Sequence, residues 1–394
     1  MGSSDDQGYP VTSWSAINAL GSSTKDFIEG LRRGQPAFSP VPSETPFEAL
    51  CGAVDANLGP LPKALAEYDS RNSRFVYHGL LELEEPLAKA RERWGAARIG
   101  ICAGSSTAAM DSIEMAYFHH AENGSLPSGF DVLSDGSAEG FVRTLRAITR
   151  FEGPATIVSN ACASSGKAFA TAKRWLDADV VDAVLVGGSD SLCQMTLRGF
   201  KSLGLLCDGP SRPFSAERSG INLGEGAAFA LLERTGVGPR LRGTGESSDA
   251  HHMTRPDPDG RGARRAMEAA LLSAGLRPAA IGYVNAHGTG THFNDAMEAQ
   301  AIRDTMAGES DPLVISNKGY IGHTLGAAGA TGAICVLEAL ENQWVPASAG
   351  AEPADPELKL NIPKVAVETE LRAAMCNAFA FGGSNVSLVF EARR

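Results

Sequence analysis

The segment from Ala155 to Gly166 places the strongest constraint on what this chain can fold into. An apolar run ends at Val158, Cys162 follows it, and small residues then lead into Lys167. This pattern predicts a buried strand, a sharp turn and the first turn of a helix. Backbone N–H groups at the start of that helix would lower the pKa of the thiol from ~8.5 and favour the nucleophilic thiolate. A buried structural cysteine is the alternative interpretation, because that is the commoner role of a cysteine in an intracellular protein.

The composition limits the partners and the compartment. The chain has 394 residues, of which 43% are hydrophobic, so it can bury a large core in about two or three domain-sized units. Its formal net charge is -11 and it has no basic stripe, which argues against nucleic acid as the main partner. Seven cysteines without a CxxC pair indicate a reducing compartment and argue against a thiolate zinc site.

The sequence also argues against export and membrane insertion. The N-terminal segment up to Gly8 is polar, so we expect no signal peptide. The longest apolar runs are much shorter than the ~20 residues of a membrane span. We therefore expect a soluble, cytoplasmic protein with no membrane partner.

Strands, glycine turns and alanine-rich helices alternate along the chain, which predicts an α/β fold with largely buried sheets. A glycine-containing turn divides the chain into an N-terminal half, 1–235, and a C-terminal half, 236–394. An amphipathic pattern predicts one long helix over residues 71–94. The tetrapeptide Asn160-Ala161-Cys162-Ala163 is echoed by Asn377-Ala378-Phe379-Ala380, a weak sign of internal duplication.

Three loops carry reactive side chains, and each follows an apolar strand. They hold Cys162, His287, and Lys318 with His323. In open α/β sheets such strand ends carry functional sites. A Cys/His hydrolase would use one histidine as a base, and a metal site would use both histidines. A carbon–carbon bond-forming acyltransferase would hold an acyl group on the cysteine and stabilise an enolate with the histidines.

Seven motifs follow one another along nearly the whole chain: Asn160-Ala161-Cys162-Ala163-Ser164, Ser211-Arg212-Pro213-Phe214, Gly224-Glu225-Gly226-Ala227, His252-Met253-Thr254, Asn285-Ala286-His287-Gly288-Thr289-Gly290-Thr291, Lys318-Gly319-Tyr320-Ile321-Gly322-His323 with Gly326-Ala327-Ala328-Gly329, and Asn377-Ala378-Phe379-Ala380-Phe381-Gly382-Gly383-Ser384-Asn385. In this order they resemble the β-ketoacyl-acyl carrier protein synthases, the decarboxylating condensing enzymes of the thiolase fold. The cysteine, the two histidines and this lysine are similar to the catalytic set of the elongating branch. The resemblance implies an α/β thiolase fold with two similar halves in a five-layer αβαβα arrangement.

The resemblance implies a decarboxylative condensation in two half-reactions. Cys162 would take an acyl group from an acyl carrier protein, and malonyl-acyl carrier protein would then lose carbon dioxide and attack the thioester. His287 and His323 would donate hydrogen bonds to the oxygen of the developing enolate. Backbone N–H groups of Cys162 and Phe381 would form the oxyanion hole, and Phe381 would also act as a gate.

The resemblance also implies supporting roles for residues around this set. Lys318 would orient His323 and pair with Glu298, which lies at the family's acidic position. Contacts with the substrate and its phosphopantetheine arm are implied for Thr289, Thr291, Phe379, Phe200 and Thr254. The residues alone permit simpler roles, in which the threonines shape a turn, the phenylalanines belong to the core, and Glu298 is an exposed helix residue.

The partners follow from the same resemblance. Arg71 and Arg74 match a region that contacts the carrier protein, and Lys201 is a further docking candidate, although a solvated helix face is the simpler interpretation of the two arginines. We expect no metal and no cofactor other than the arm on the carrier protein, and a dimer with a second copy or a homologous subunit. A Cys/His thioesterase and a non-catalytic chain-length subunit are the rival functions, and Cys162 argues against the second.

Several positions depart from the family pattern, among them the N-terminal segment Val11-Thr12-Ser13-Trp14-Ser15, which lacks the family's usual glycine pair. Gly332 occupies a position where the family usually has a glutamate that supports the site through a buried polar network. His292-Phe293 replaces a proline-led pair after Thr291. The compact length and the segment Asp295-Ala296-Met297-Glu298-Ala299 resemble synthases of secondary-metabolite clusters, such as polyene, aryl-polyene or type II polyketide systems.

Overall fold

The computed structural model describes residues 8–42, 45–55 and 57–393, so residues 1–7 of the polar N-terminus lie outside it. The backbone is organised around a ten-stranded sheet made of β1 (Tyr9–Ile17), β4 (Ile99–Gly104), β5 (Ala155–Val158), β6 (Ala183–Asp190), β8 (Gly226–Glu233), β9 (Arg240–Ser248), β10 (Ile281–Asn285), β11 (Leu313–Ile315), β14 (Ala373–Ala380) and β15 (Ser384–Glu391). Short strands form two small sheets, one of β2 (Ser39–Pro40), β3 (Leu50–Gly52) and β7 (Leu223–Gly224), the other of β12 (Trp344–Val345) and β13 (Val367–Glu368).

The ten strands fall into two sets of five with the same topology. The first set has the spatial order β5-β4-β6-β8-β1 and the second β11-β10-β14-β15-β9. Numbered within its own set, each reads 3-2-4-5-1, in which strand 5 alone runs opposite to the other four. The sets join where Tyr9 and Pro10 of β1 pair with Leu241 and Arg240 of β9. The prediction of two similar halves is therefore confirmed, whereas the division at residue 235 stays a prediction.

Helices cover both strand sets of the large sheet and also separate them. They are α1 (Thr24–Arg33), α2 (Arg71–Leu81), α3 (Glu84–Trp94), α4 (Met110–Asn123), α5 (Val132–Asp135), α6 (Ala138–Thr149), α7 (Ser164–Asp177), α8 (Gln194–Ser202), α9 (Arg261–Ala274), α10 (His292–Met306), α11 (Lys318–Ile321) and α12 (Ala328–Asn342). Helices α2, α3 and α6 pack on the outside of the first strand set, α9 and α10 lie outside the second, and α7 and α12 contact strands of both sets. This arrangement confirms the predicted five-layer αβαβα thiolase fold.

The central layer explains the composition of its helices. A helix covered on all sides must be apolar all round, and every residue of α12 from Ala328 to Leu340 is buried. Small residues allow α12 to cross α7 closely, because a Cβ on Gly329 would lie 2.5 Å from the backbone nitrogen of Gly166. At the same crossing the N–H of Ala330 donates to the Ser165 hydroxyl at 2.8 Å.

One long helix over residues 71–94 is a wrong prediction. The segment forms two helices, because α2 ends at Leu81 and α3 begins at Glu84. Pro86 lies in the first turn of α3, and a proline cannot donate a hydrogen bond to the carbonyl four residues before it and clashes with that carbonyl. It is tolerated only near a helix start, so the chain has to restart its helix just before Pro86.

The tetrapeptide echo does not reflect the duplication. Asn160-Ala161-Cys162-Ala163 follows the third strand of the first half, whereas Asn377-Ala378-Phe379-Ala380 lies within the fourth strand of the second half. The two segments therefore occupy different positions of the repeated topology, although the repeat itself is present.

Three further features of the described chain bear on its chemistry. None of its helices is long and apolar enough to cross a membrane. All seven cysteines are buried free thiols. Across the described ranges, no group of three or more His, Cys, Asp and Glu side chains is placed to hold a metal ion.

The close crossing of the central helices predicts a large effect of one methyl group. We expect Gly329→Ala to lower the free energy of unfolding by about 1–3 kcal/mol, because overpacking forces backbone shifts. Gly199→Ala in α8 is the matched control, since a Cβ there meets no atom within 4 Å and alanine is the better helix former. Thermal and denaturant unfolding should show a loss only for Gly329→Ala, and equal stabilities of the two variants would contradict a close crossing.

Candidate active site

Cys162 lies in a tight turn between β5 and α7, which confirms the predicted strand–turn–helix arrangement. Ala161 has a φ of 43°, in the left-handed region that residues other than glycine rarely adopt. The side chain of Ser164 holds this turn, since its hydroxyl accepts from the N–H of Asn160 at 2.8 Å and donates to the carbonyl of Ala161 at 2.6 Å. The sulfur is thereby fixed just before the first residue of α7.

The pKa of Cys162 moves in the direction opposite to the prediction. Burial raises the pKa of this thiol to about 11, while the charge of Lys318 and the backbone N–H of Phe381 lower it. The N-terminal end of α7 therefore does not outweigh the loss of water around the sulfur. The unloaded site holds a neutral thiol, and Lys318 is the nearby cation that favours its ionisation.

Cys162 shares one cavity of about 420 Å³ with His287 and His323. His287 follows β10 and His323 follows α11, and their rings meet edge to face with centroids 5.4 Å apart and an interplanar angle of 83°. The structure thus brings together the loops that the sequence singled out. The predicted substrate contacts line the same cavity: Thr289, Thr291, Phe379, Phe200 and Thr254.

Both histidines are neutral and have unused nitrogens. Burial lowers the pKa of each imidazole well below the usual range, and the positive charge of Lys318 lowers it further. Within the described chain, Nδ1 of His287 and both ring nitrogens of His323 have no hydrogen-bond partner although they are buried. Buried polar groups are rarely left unpaired, so these nitrogens keep a hydrogen-bonding capacity that the described chain does not use.

Glu298 holds the loop of His287 rather than an exposed helix face. Its buried carboxylate accepts hydrogen bonds from the N–H groups of His287 and Gly288, both at 2.8 Å, and from the amide of Asn377 at 3.2 Å. Burial raises the pKa of Glu298 to about 7, against the lowering effect of these donors. Asn377 is a partner that the sequence did not reveal as part of the site.

Lys318 is buried beside this carboxylate. Burial lowers the pKa of the ammonium group, and attraction to Glu298 is the largest effect that raises it. The hydrogen bonds of Glu298 go to backbone and amide N–H groups, and the two charged groups, both in the described chain, are not within ion-pair distance. The predicted pairing of Lys318 with Glu298 is therefore a longer-range attraction and not a direct ion pair.

The two threonines of the His287 loop shape its turn and also face the cavity. The hydroxyls of Thr289 and Thr291 lie 2.9 Å apart. Thr291 caps α10, because its hydroxyl accepts from the N–H of Asn294. Both readings of these threonines are thus compatible with the geometry, and their contact with a phosphopantetheine arm stays a prediction.

Aromatic rings separate the cavity from its surroundings. Phe379 is buried, with its ring centroid 6.0 Å from that of His287. Phe381 stacks on Phe200 of α8, with centroids 5.6 Å apart and an interplanar angle of 21°. Two glycines with positive φ, Gly382 at 84° and Gly383 at 78°, follow Phe381 in the turn between β14 and β15. This turn presents the Phe381 N–H to the sulfur of Cys162.

The predicted docking residues do not line this cavity. The guanidinium of Arg71 forms an ion pair with the buried carboxylate of Glu225, and Arg74 bonds to Asp69 at 2.6 Å. Lys201 is exposed on α8. Arg71 therefore balances a buried charge of its own chain, as a purely structural arginine would, and a docking role for these residues stays a prediction.

The place of Gly332 is filled by its neighbours. A Cβ there would lie 2.6 Å from the Asn285 amide nitrogen and 2.8 Å from the sulfur of Cys376. The hydroxyl of Tyr283 donates to the Asn285 side-chain oxygen at 3.2 Å and lies 3.4 Å from the sulfur of Cys335. Neutral polar groups thus pack where a longer side chain at position 332 would have to go.

Asp190 is a buried residue of the site that the sequence reasoning missed. Its carboxylate accepts from the N–H groups of Ser106, at 3.0 Å, and Gly326, at 2.6 Å, and from the hydroxyl of Thr107 at 2.7 Å. It therefore ties the loop after β4 to the segment that follows His323. Its position at the end of a buried strand, like that of the catalytic loops, is the signal that could have identified it.

Comparison with known families supports the grouping of these residues. The chain matches the β-ketoacyl synthase N-terminal domain over residues 88–236 and the β-ketoacyl synthase C-terminal domain over residues 240–352. The first match contains Cys162, and the second contains His287, Lys318 and His323. Together the matches cover more than half of the chain.

Individual relatives extend the similarity over the whole length. Nodulation protein E of Rhizobium sp. (strain N33) is 31% identical, with 98% of this chain and 99% of the relative covered. The 3-oxoacyl-[acyl-carrier-protein] synthase 2 of Vibrio cholerae is also 31% identical, with 97% and 98% covered. A ketosynthase of Xenorhabdus doucetiae, solved in complex with its chain length factor, superposes with a TM-score of 0.90 and 34% identity over 100% of both chains. The chain belongs to the β-ketoacyl synthase family, the decarboxylating condensing enzymes of fatty acid and polyketide synthesis.

Proposed function

We propose that Cys162 carries the acyl group and that His287 and His323 bind the malonyl thioester which attacks it. The observation that carries this assignment is the shared cavity, in which a thiol faces two neutral imidazoles with unused nitrogens. The Nε2 or Nδ1 hydrogen of a neutral imidazole can donate to a thioester oxygen. A metal ion would need ligands that the described residues do not group together, and we propose that the only prosthetic group is the phosphopantetheine arm on the carrier protein.

The first half-reaction transfers the acyl group. The Cys162 sulfur attacks the carbonyl carbon of the acyl thioester, and the carrier thiol leaves with the proton that the Cys162 thiol gives up. The N–H groups of Cys162 and Phe381 receive the oxyanion, since both lower the pKa of the thiol and so favour negative charge at this point. Lys318 assists ionisation of the thiol, because its positive charge lowers the thiol pKa.

The second half-reaction forms the carbon–carbon bond. The malonyl carboxylate breaks away as carbon dioxide, and its bonding electrons pass to the thioester oxygen as an enolate held by His287 and His323. The enolate carbon then attacks the acyl carbonyl on Cys162, and the sulfur leaves as the thiolate. Donors already placed where charge develops are worth about 2.7–4 kcal/mol each, and Glu298 fixes one of them through the backbone of the His287 loop.

The carrier proteins bring both substrates to the mouth of the cavity. Thr289, Thr291 and Thr254 line the path that the pantetheine arm takes towards the sulfur. The exposed side chain of Lys201, on the helix that also carries the cavity residue Phe200, provides a positive charge for an acidic carrier protein. Arg71 and Arg74 contribute less to this docking, because both are already bonded to carboxylates.

A second thiolase-fold subunit covers one face of the chain, either another copy or a homologous partner. Strand β5 is an edge of the ten-stranded sheet, and an open edge invites pairing with another chain. Exposed apolar side chains cluster in sequence on α4 and α5: Met115, Tyr117, Phe118, Val132 and Leu133. The relative from Xenorhabdus doucetiae forms a complex with a chain length factor, which favours a partner subunit and a polyketide or polyene product. The free thiols fit the cytoplasm.

Replacement of Cys162 tests the acyl carrier role. The wild-type protein should gain the mass of the acyl group when incubated with acyl-carrier protein, and Cys162→Ala should gain none and form no β-ketoacyl product. Cys193→Ala removes another buried thiol outside this cavity and should behave as wild type. Intact-mass spectrometry of protein and product follows both steps.

The products of the same experiment separate the rival functions. A β-ketoacyl product that depends on malonyl-carrier protein supports condensation, whereas release of free acid would indicate a thioesterase. Condensation that persists in Cys162→Ala would contradict the acyl-carrier role and would point to a subunit that acts through a partner.

The histidines should affect the second half-reaction selectively. We expect His287→Ala and His323→Ala to slow condensation by about 10²–10³-fold each, the usual effect of losing one preorganised donor. Acylation of Cys162, followed by rapid quenching and mass analysis, should change only several-fold. Lys25→Ala on α1, whose side chain is exposed, is the surface control. Equal losses in acylation and condensation would contradict the assignment of the histidines to the enolate.

The pH dependence of alkylation tests the state of the thiol. Because its pKa is raised to about 11, the thiolate fraction grows with pH, and the rate of Cys162 alkylation by iodoacetamide should rise about tenfold per pH unit up to at least pH 9. Lys318→Met should slow alkylation at fixed pH, since losing the cation raises the thiol pKa, while Lys201→Met should not. A plateau near pH 8 would show that the thiol is more acidic than its burial implies.

A further inference from the structure

We propose that Arg255, held against the ring of Phe293 at the mouth of the Cys162 cavity, binds the phosphate of the substrate's phosphopantetheine arm. The inference rests on the proposed function, because it assumes that the acyl and malonyl groups arrive on that arm. It assigns a binding role to two residues that are absent from the catalytic set. The shared chemistry is the phosphate of the arm, whether the arm is free or attached to a carrier protein.

The geometry places a cation at the entrance of the cavity. The guanidinium carbon of Arg255 lies 5.3 Å from the centroid of the Phe293 ring, and both residues line the cavity that contains Cys162. Phe293 is 64% exposed, so its ring stands at the rim and not in the core. A cation–π contact restricts the guanidinium to one region of the rim, which reduces the entropy lost when an anion binds.

No described carboxylate pairs with the charge of Arg255. Among the residues of the cavity lining, all of which the structure describes, Arg255 is the only arginine or lysine. No described carboxylate lies at ion-pair distance from it, in contrast to Arg261, which bonds to Asp257 at 2.7 Å. Asp249 also lines the cavity, but its carboxylate accepts from the amide of Asn385 at 2.7 Å. An anion that enters the mouth therefore meets a guanidinium that no described carboxylate pairs with at ion-pair distance.

The backbone of Arg255 is tied to the catalytic turn. The N–H groups of Thr254 and Arg255 both point to Nδ1 of His252, at 3.1 and 3.3 Å, which fixes a compact turn. Within that turn the carbonyl of Met253 accepts from the N–H of Gly382 at 2.7 Å. Gly382 directly follows Phe381, whose N–H reaches the Cys162 sulfur. The turn that carries Arg255 is thus linked by a backbone hydrogen bond to the turn that carries Phe381, which lies beside Cys162.

The chemistry of the pair suits a phosphate more than a carboxylate-rich protein surface. A guanidinium presents a planar fork of donors that matches two phosphate oxygens. The arm carries its phosphate at the end remote from the thioester, and the rim is the part of the cavity remote from Cys162. The apolar residues beside Arg255, Phe293 and Met253, would cover the alkyl part of the arm just below the phosphate.

The test compares three donors of the same acyl group in acylation of Cys162: the carrier-bound thioester, the phosphopantetheine thioester and the pantetheine thioester that lacks phosphate. Arg255→Ala should lower kcat/KM by about 10- to 30-fold for both phosphate-bearing donors, a typical loss for a charged hydrogen bond, and leave the pantetheine thioester unchanged. Arg255→Lys should restore part of the loss, and Phe293→Leu should cause a smaller, about two- to fivefold loss with the same donor pattern.

The alternative outcomes overturn the proposal in distinguishable ways. A loss confined to the carrier-bound donor would place Arg255 against the carrier protein surface. An equal loss of kcat/KM with all three donors would show a structural role. An unchanged kcat/KM would show that Arg255 takes no part in acylation. Arg277→Ala, whose side chain pairs with Glu309 away from the cavity, serves as the control. Acylation of wild-type Cys162 by the pantetheine thioester tests the proposed function separately, because it does not involve a phosphate.

Discussion

The close crossing of α7 and α12 is the constraint on which the site depends. At Gly166 and Gly329 the two backbones approach with no side chain between them. Because Cys162 lies just before α7 and His323 lies a few residues before α12, this approach brings the starts of both helices to one cavity. Each helix packs on strands of both halves. The same contact therefore fixes how the two halves pack together and how close Cys162 lies to His323.

Burial at this crossing decides which groups carry charge. Removing water disfavours the ionised form of every group, and here it raises the pKa of the Cys162 thiol and lowers the pKa values of both imidazoles. The resting site is therefore mostly neutral. Neutral donors that are already oriented suit a reaction in which negative charge appears on oxygen only during the chemical steps.

Local sequence patterns predicted what depends on local geometry. The strand, turn and helix around Cys162 follow from an apolar run and small residues, and the convergence of His287 with His323 follows from loops at strand ends. The break before α3 was also local, since Pro86 marks it in the sequence. The motif order, read as a resemblance, supplied the five-layer fold that periodicity alone could not.

Interactions between distant segments could not be read in the same way. The direction of the thiol pKa depends on how completely the other half of the chain covers Cys162, and no neighbouring residue reports that burial. Arg71 bonds to Glu225, which is 154 residues away in the chain, so its helix-face spacing alone suggested a solvated residue. Similarly, the three donors to Glu298 come from the loop after β10 and from strand β14, and only the folded chain shows that they meet.

Gly332 shows how the site can be supported without the glutamate that related sequences have at that position. Asn285 and Cys376 occupy the space next to it, so a neutral amide and thiol replace a carboxylate in the layer beneath the catalytic loops. Glu298 is then the carboxylate with the strongest effect on Lys318, and its own pKa is raised to about 7. With one carboxylate fewer nearby, less negative charge opposes the positive potential of Lys318 at its other neighbours. Burial is the main cause of the low imidazole pKa values, and the charge of Lys318 adds to it and opposes the rise in the thiol pKa. A missing carboxylate therefore leaves that positive charge less opposed at the reacting groups.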